Sequence, residues 1–128
     1  MMFDPYSERV RSLFAEPAHS GSLDEAIVVS VDDQGVRIVL SASTDNGSIQ
    51  SMRFRAWGCP HVIAATETVC AEYEGRAISD LGEFAAAEIM QSLAVPVEKS
   101  GRILVIEDAV RLLGTALREA SELSKEQN

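Results

Sequence analysis

Ser48-Ile49-Gln50-Ser51-Met52-Arg53-Phe54-Arg55-Ala56-Trp57 runs without a break into Gly58-Cys59-Pro60. The first ten residues alternate: Met52, Phe54 and Ala56 point one way, and Arg53, Arg55 and Trp57 the other. A period of two with one apolar side is the signature of a strand with one buried and one wetter face. Gly58-Cys59-Pro60 breaks that period, and Pro60 suits the first position of a helix because it lacks an N–H that would go unsatisfied there anyway. A strand handing over directly to a helix, with a cysteine at the joint, is the feature from which the rest of the chain is read.

Working back, Thr44-Asp45-Asn46-Gly47 carries Asn-Gly, a strong short-range hairpin signal. Val36–Ala42 is a strand with Ile38 and Leu40 on one face, and Ala26–Val31 is another, joined through the turn Asp32-Asp33-Gln34-Gly35. Three strands in antiparallel succession follow. Further back, Tyr6 to Phe14 reads as a short amphipathic helix capped by Ser7 and ended by Pro17, with His19-Ser20-Gly21-Ser22 as a loop. Forward of Pro60, His61 to Tyr73 is helical, and Gly75 is its stop. Ser79 caps a helix Asp80 to Leu93, which Val95-Pro96-Val97 interrupts. A last helix runs from about Ile103 to Leu123, with Leu104, Ala109, Leu112, Leu113, Ala116 and Leu117 as its apolar stripe. The ends, 1–5 and 124–128, are expected to be frayed. The fold class is therefore α+β: one domain over 1–128, with a three-stranded antiparallel sheet, an N-terminal helix and C-terminal helices packed on one face.

The 128 residues, 46% hydrophobic and 24% charged, suffice for one core and exclude wholesale disorder. No apolar run approaches the ~18–20 residues of a membrane helix, and the charged N-terminus lacks an apolar signal core. Net charge is −9, and the arginines are scattered rather than clustered. Such a chain repels a phosphate backbone, so neither nucleic acid nor an anionic membrane is an expected partner. Two cysteines make no disulfide framework, which points to a reducing, cytoplasmic setting.

Cys59 is the residue that can carry chemistry. At a helix N-terminus the positive end of the dipole favours a thiolate, and a thiolate binds a soft metal or accepts sulfur. The alternative is a small apolar residue filling the turn. Cys70, eleven residues on, lies ~16 Å further along the helix and reads as a core thiol. His61 is read as a solvated histidine or a second metal ligand. Asp33 is read as a turn carboxylate satisfying a local amide or as a hard ligand folded over Cys59. His19 has no partner visible in sequence. Arg53 and Arg55 read as an exposed polar sheet face or as grips for a partner's carboxylates, and Glu107-Asp108 as dipole-capping acids opening the last helix. No phosphate loop, carboxylate pair or Ser-His-Asp pattern is present, so no enzyme activity is expected.

Four motifs in order carry a resemblance. They are Tyr6-Ser7-Glu8-Arg9-Val10 with Pro17 and Gly21-Ser22-Leu23; Asp45-Asn46-Gly47; Arg53 to Cys59 followed by Ile63-Ala64-Ala65; and Glu107-Asp108-Ala109-Val110. Together these resemble the IscU/NifU iron–sulfur cluster scaffold family from Tyr6 to about Leu117. The resemblance implies an IscU/SufE-like fold that presents three cysteines and an aspartate at one end. It implies an iron–sulfur cluster, iron or zinc as what is held, and a cysteine desulfurase or another assembly protein as partner.

Set against that pattern, Cys59 falls at the family's second cysteine. The first cysteine falls near Asp33, the aspartate at Gly35, the third cysteine near Arg102 and the preceding histidine near Gly101. Val95-Pro96-Val97-Glu98-Lys99 is a weak echo of the segment a dedicated chaperone reads in some members. One of three cysteines is thus retained. Cys59, Asp33 and His61 offer three ligands where a cluster takes four. Arg102 would repel a metal yet favour a thiolate or persulfide on Cys59. Three readings follow: a scaffold-like protein with a degenerate ligand set, completed by a partner or a second copy in a homo-oligomer; a persulfide acceptor using Cys59; or a partner-binding module without chemistry.

Overall fold

The computed structural model describes residues 7–126, with side chains described to residue 123. Of the ends expected to be frayed, 1–5 and 127–128 lie outside the described residues, as does Tyr6, the expected first helical residue. Element order is α1 (Glu8–Ala15), β1 (Ile27–Asp33), β2 (Val36–Asp45), β3 (Ser48–Trp57), α2 (Pro60–Tyr73), a 3-10 turn (Ile78–Glu83), α3 (Ala86–Ser92), a second 3-10 turn (Val97–Lys99) and α4 (Ser100–Glu126).

The strands form one antiparallel sheet in the order β1-β2-β3. Both hairpins close through two residues with positive φ, Gln34 (54°) with Gly35 (71°) and Asn46 (51°) with Gly47 (81°). These are the turns whose twist matches that of the strands, and glycine takes the second position without steric cost. The Asp32-Asp33-Gln34-Gly35 turn is thereby shorter than its sequence suggests, because Asp32 and Asp33 still pair with Arg37 and Val36. From Met52 onward the alternation in β3 is realised: Met52 and Phe54 are buried, while Arg55 and Trp57 are exposed; Ile49, out of step across the irregularity opposite Ser43 and Thr44, is buried as well. Ile38, Leu40 and Ala42 of β2 complete the buried face.

The helices cover that face. α4 packs on β1 and β2, α2 on β3, and α1 on α2. Ser7 caps α1, its hydroxyl accepting the Val10 N–H at 3.2 Å. Ile103, Ile106, Leu113 and Val69 meet the sheet residues in one continuous core. Each such side chain, fully removed from water, contributes about 1.5–3 kcal/mol before the cost of ordering it.

Three expectations are corrected. The single helix expected over Asp80 to Leu93 is a 3-10 turn, an extended Phe84-Ala85 link and then α3. The break turns Phe84 into the core, where its ring meets Tyr73 edge-on at 6.0 Å, a favourable aromatic geometry. The last helix begins at Ser100, not Ile103, because Pro96 and the 3-10 turn feed it directly, and it continues through 124–126. Glu107 and Asp108 therefore stand two turns inside α4 and do not cap it. Glu107 instead accepts the Ala86 N–H at 3.1 Å, supplying from another helix the cap that Ala85 cannot give α3. No helix among the described residues is long and apolar enough to cross a membrane.

Candidate functional site

The end of the sheet where β3 hands over to α2 gathers three segments. Arg37 pairs with Trp57, and Asp33 with Val36, so the β1–β2 turn lies beside the end of β3. The start of α4 closes on that turn: a Cβ on Gly101 would sit 3.9 Å from Gln34 Oε1. Lys99, just before α4, acts electrostatically on His61 of α2. The neighbourhoods of Asp33, of Cys59 with His61, and of Lys99-Ser100-Gly101-Arg102 thus share one end of the molecule.

Cys59 is the N-cap of α2, with extended backbone (φ −79°, ψ 167°) and Pro60 in the first turn. Its carbonyl accepts the Val62 N–H at 2.9 Å and the Ile63 N–H at 3.3 Å, while its side chain makes no capping hydrogen bond. The sulfur is half-buried, one side against the core. It is neither sealed in apolar packing nor spent on the helix amides. Gly58 makes the turn: a Cβ there would fall 3.3 Å from Val62 Cβ, so the body approaching this glycine is the chain's own next helix.

The other expected ligands do not gather around that sulfur. Asp33 is exposed and its Oδ1 accepts the Gln34 N–H at 2.9 Å, the local role of a turn carboxylate. His61 is 1% exposed, which overturns its reading as a solvated histidine: the helix turns it into the core. Burial, and then the Lys99 charge, hold its pKa below the usual histidine value. Arg102 is exposed on the first turn of α4. Among the described residues, no three His, Cys, Asp or Glu side chains come together to hold a metal ion. The donor set of this single chain therefore does not fit a cluster needing four ligands.

On the open face of the sheet, Arg37 stacks its guanidinium 5.2 Å from the Trp57 ring centroid, and Trp57 remains 51% exposed two residues before Cys59. Arg55 is exposed beside them. Arg53 departs from the expected exposed face: its Nη1 pairs with Glu74 Oε2 at 3.0 Å and donates to the Met52 carbonyl at 2.8 Å. Cys70 is fully buried as expected. Burial, reinforced by the charges of Glu67 and Glu74, pushes its thiol pKa well up.

The residue the sequence left without a partner is the best connected. His19 places Nδ1 2.5 Å from Glu67 Oε2 and Nε2 2.6 Å from Glu74 Oε1, and its backbone N–H donates to Glu67 Oε1 at 2.6 Å. The signal was two glutamates seven residues apart, hence on one side of the α2 helix, one of them amid apolar positions.

An antiparallel three-stranded sheet under helices, with a partly buried cysteine where β3 meets α2, defines the class. Solved structures share this fold. One is the N-terminal part of a nitrogen-fixing NifU-like protein from Brucella abortus (TM-score 0.72, 14% identity, covering 88% of this chain and 94% of that one). Another is an iron–sulfur cluster assembly scaffold protein for the SUF system from Fervidobacterium islandicum (TM-score 0.58, 18% identity, 88% and 93%). In sequence, the chain is 26% identical to the iron–sulfur cluster assembly scaffold protein IscU of Haemophilus influenzae, over 83% of this chain and 90% of that protein. It is also 26% identical to IscU of Rickettsia prowazekii, over 94% and 98%. The sequence profile of the NifU-like N-terminal domain matches residues 5–121, and the chain belongs to that family.

Proposed function

We propose that this chain works in iron–sulfur cluster assembly as a scaffold-type protein with a reduced ligand set. Cys59 supplies the one thiolate, Asp33 and His61 are the further donors this chain has to offer, and the remaining ligands come from a partner or a second copy. The cluster, or the iron or zinc that precedes it, is cargo. The observation that carries this reading is the partly buried Cys59, its side chain free of any capping bond, at the β3–α2 junction of the family fold. Soft thiolate donors match these metals. The reading assigns no turnover of its own to the chain, places it in the cytoplasm, and gives it a cysteine desulfurase or another assembly protein as partner.

The test is anaerobic reconstitution of the full chain with iron, sulfide and reductant, followed by the visible spectrum and an acid-labile sulfide assay. The expected result is a charge-transfer band that Cys59→Ser abolishes. A colourless protein without labile sulfide, alone and mixed with a desulfurase, overturns it. Sedimentation of loaded and unloaded protein shows whether a second copy joins.

A second reading is favoured by the third segment at this end of the molecule, which carries Lys99 and Arg102 and no ligand. Here Cys59 accepts sulfur. Its thiolate attacks the outer sulfur of a desulfurase persulfide, a new S–S bond forms on Cys59, the old one breaks, and the desulfurase thiolate leaves. No external oxidant or reductant is needed. Arg102 is then the charge partner of the persulfide. Incubation with a desulfurase and cysteine should add the mass of one sulfur atom, lost in Cys59→Ser and reduced in Arg102→Glu. Undiminished partner binding by Cys59→Ser, with neither colour nor adduct in the parent chain, leaves a binding module without chemistry.

A further inference from the structure

Loop 16–21 leaves α1, runs along the edge of β3 and is held there by few bonds. The Gly21 N–H donates to the Phe54 carbonyl at 2.8 Å, and the Phe54 N–H donates to the His19 carbonyl at 3.0 Å. Its side-chain ties to α2 among the described residues run through His19. Glu67 grips it twice, accepting from its backbone N–H and facing its Nδ1, and Glu74 faces its Nε2. Glu74 is itself fixed to β3, where its Oε2 accepts from the Met52 N–H at 3.1 Å and from Arg53 at 3.0 Å. The imidazole thus bridges two carboxylates two helical turns apart, one at the middle and one at the end of α2.

The chemistry of that bridge is asymmetric in protons. An ionised carboxylate only accepts, so between two of them only the imidazolium, with two N–H groups, can donate at both ring nitrogens. The neutral ring keeps one and turns a lone pair toward the other carboxylate. One charge-assisted bond is then replaced by a contact between two acceptors, at a site where Glu67 is only 5% exposed. Other charged or titratable groups around the bridge are Cys70 of α2, uncharged because its pKa is raised; Arg53 of β3, on Glu74; and Arg9 of α1 and Glu72 of α2, which line one surface cavity with Glu67.

We propose that His19 is a proton-operated latch: doubly protonated, it pins loop 16–21, and through it α1, to α2 and the edge of β3, and loss of one ring proton loosens that attachment. The proton goes to solvent, and no covalent bond changes. The latch lies at the end of α2 opposite Cys59, so it acts on how α1 covers α2 and leaves the thiol untouched.

The test is nuclear magnetic resonance of the full chain between about pH 5 and 9, the span in which histidines ordinarily titrate. The His19 ring and the amides of Ser20, Gly21 and Phe54 are followed together. The expected result is one shared midpoint, with Gly21 and Phe54 amide exchange, corrected for its intrinsic pH dependence, rising roughly tenfold above it. His19→Gln, which keeps one donor, should fix these amides in the loosened state at every pH, with Cys59 alkylation unchanged. A ring that titrates while those amides stay constant overturns the proposal. So does a ring that keeps both protons across the range, or a His19→Gln chain as protected as the parent. Should His19→Gln fail to fold, Glu74→Gln is read the same way.

Discussion

Glu107 of α4 accepts the backbone N–H of Ala86 at 3.1 Å, and so caps a helix to which it does not belong. Ala85 has no side chain to do this, and α3, at seven residues, is too short to hold on propensity alone. Arg111, 3.6 Å from Glu107, steadies the carboxylate. Removing the cap in Glu107→Ala should cost about 1 kcal/mol. Urea unfolding should show the loss, and hydrogen exchange should place it in α3 first. Glu107→Gln, which still offers an oxygen, should lose less than half as much.

Gly58 stands close against Val62. A Cβ would sit 3.3 Å from Val62 Cβ, tighter than ordinary van der Waals contact, so Val62 must give by a few tenths of an ångström. Gly58→Ala should therefore cost about 1 kcal/mol, the low end for adding a group to a packed site. Because Cys59 is the next residue, the rate at which a maleimide labels it should change as well. A Gly58→Ala chain with the parent's urea midpoint and labelling rate would show that the contact is not what demands glycine here.

The two thiols should behave as different chemical species. Cys59 is only partly buried, whereas Cys70 is fully buried with its pKa raised, so Cys70 is neither reachable nor ionised. The native chain should react with one equivalent of a thiol reagent and the unfolded chain with two. Native Cys59→Ser should show none, and raising the pH toward 9 should not recruit Cys70 while the fold holds.

How far these features could be read in advance depends on their range. The sheet and its hairpins were legible because period-two alternation and Asn46-Gly47 are local. The α2 start was legible because Gly58-Cys59-Pro60 breaks that period on the spot. The division between the 3-10 turn and α3 was not, since the force that extends Phe84 is its contact with Tyr73, which no local pattern encodes. The same holds at the site. Cys59 was found from its position at a junction, but the burial of His61 depends on which way α2 rotates onto the core. His19 was missed because its partners lie 48 and 55 residues away.

Arg37 and Trp57 offer a reporter beside the thiol. The guanidinium lies 5.2 Å from the centre of the chain's one indole, which is half-exposed. Such contacts at exposed sites are worth about 0.5–1 kcal/mol. Arg37→Ala should leave the fold intact, free the indole and shift its fluorescence to longer wavelength. Fluorescence of the parent chain should also change when a desulfurase docks near Cys59. An unchanged signal under saturating partner would place the docking surface away from the β3 end.

Glu74 sets a pH dependence whose sign follows from its surroundings. Burial alone would raise its pKa, but the Met52 N–H, His19 and Arg53 all favour the carboxylate, and the net effect is a value below the usual one. A carboxyl whose pKa is lower folded than unfolded binds its proton more readily in the unfolded chain. Its contribution is therefore complete above the unfolded value of about 4.3 and is lost as pH falls through the lower folded value. Urea midpoints taken from pH 6 downward through the unfolded value of about 4.3 should fall more steeply for the parent chain than for Glu74→Gln. Glu74→Gln should be the less stable of the two at pH 6, and the gap should narrow on acidification. A gap that held constant through this range would mean that Glu74 acts by packing alone, and that the ties from Met52, His19 and Arg53 do not discriminate between its charged and neutral forms.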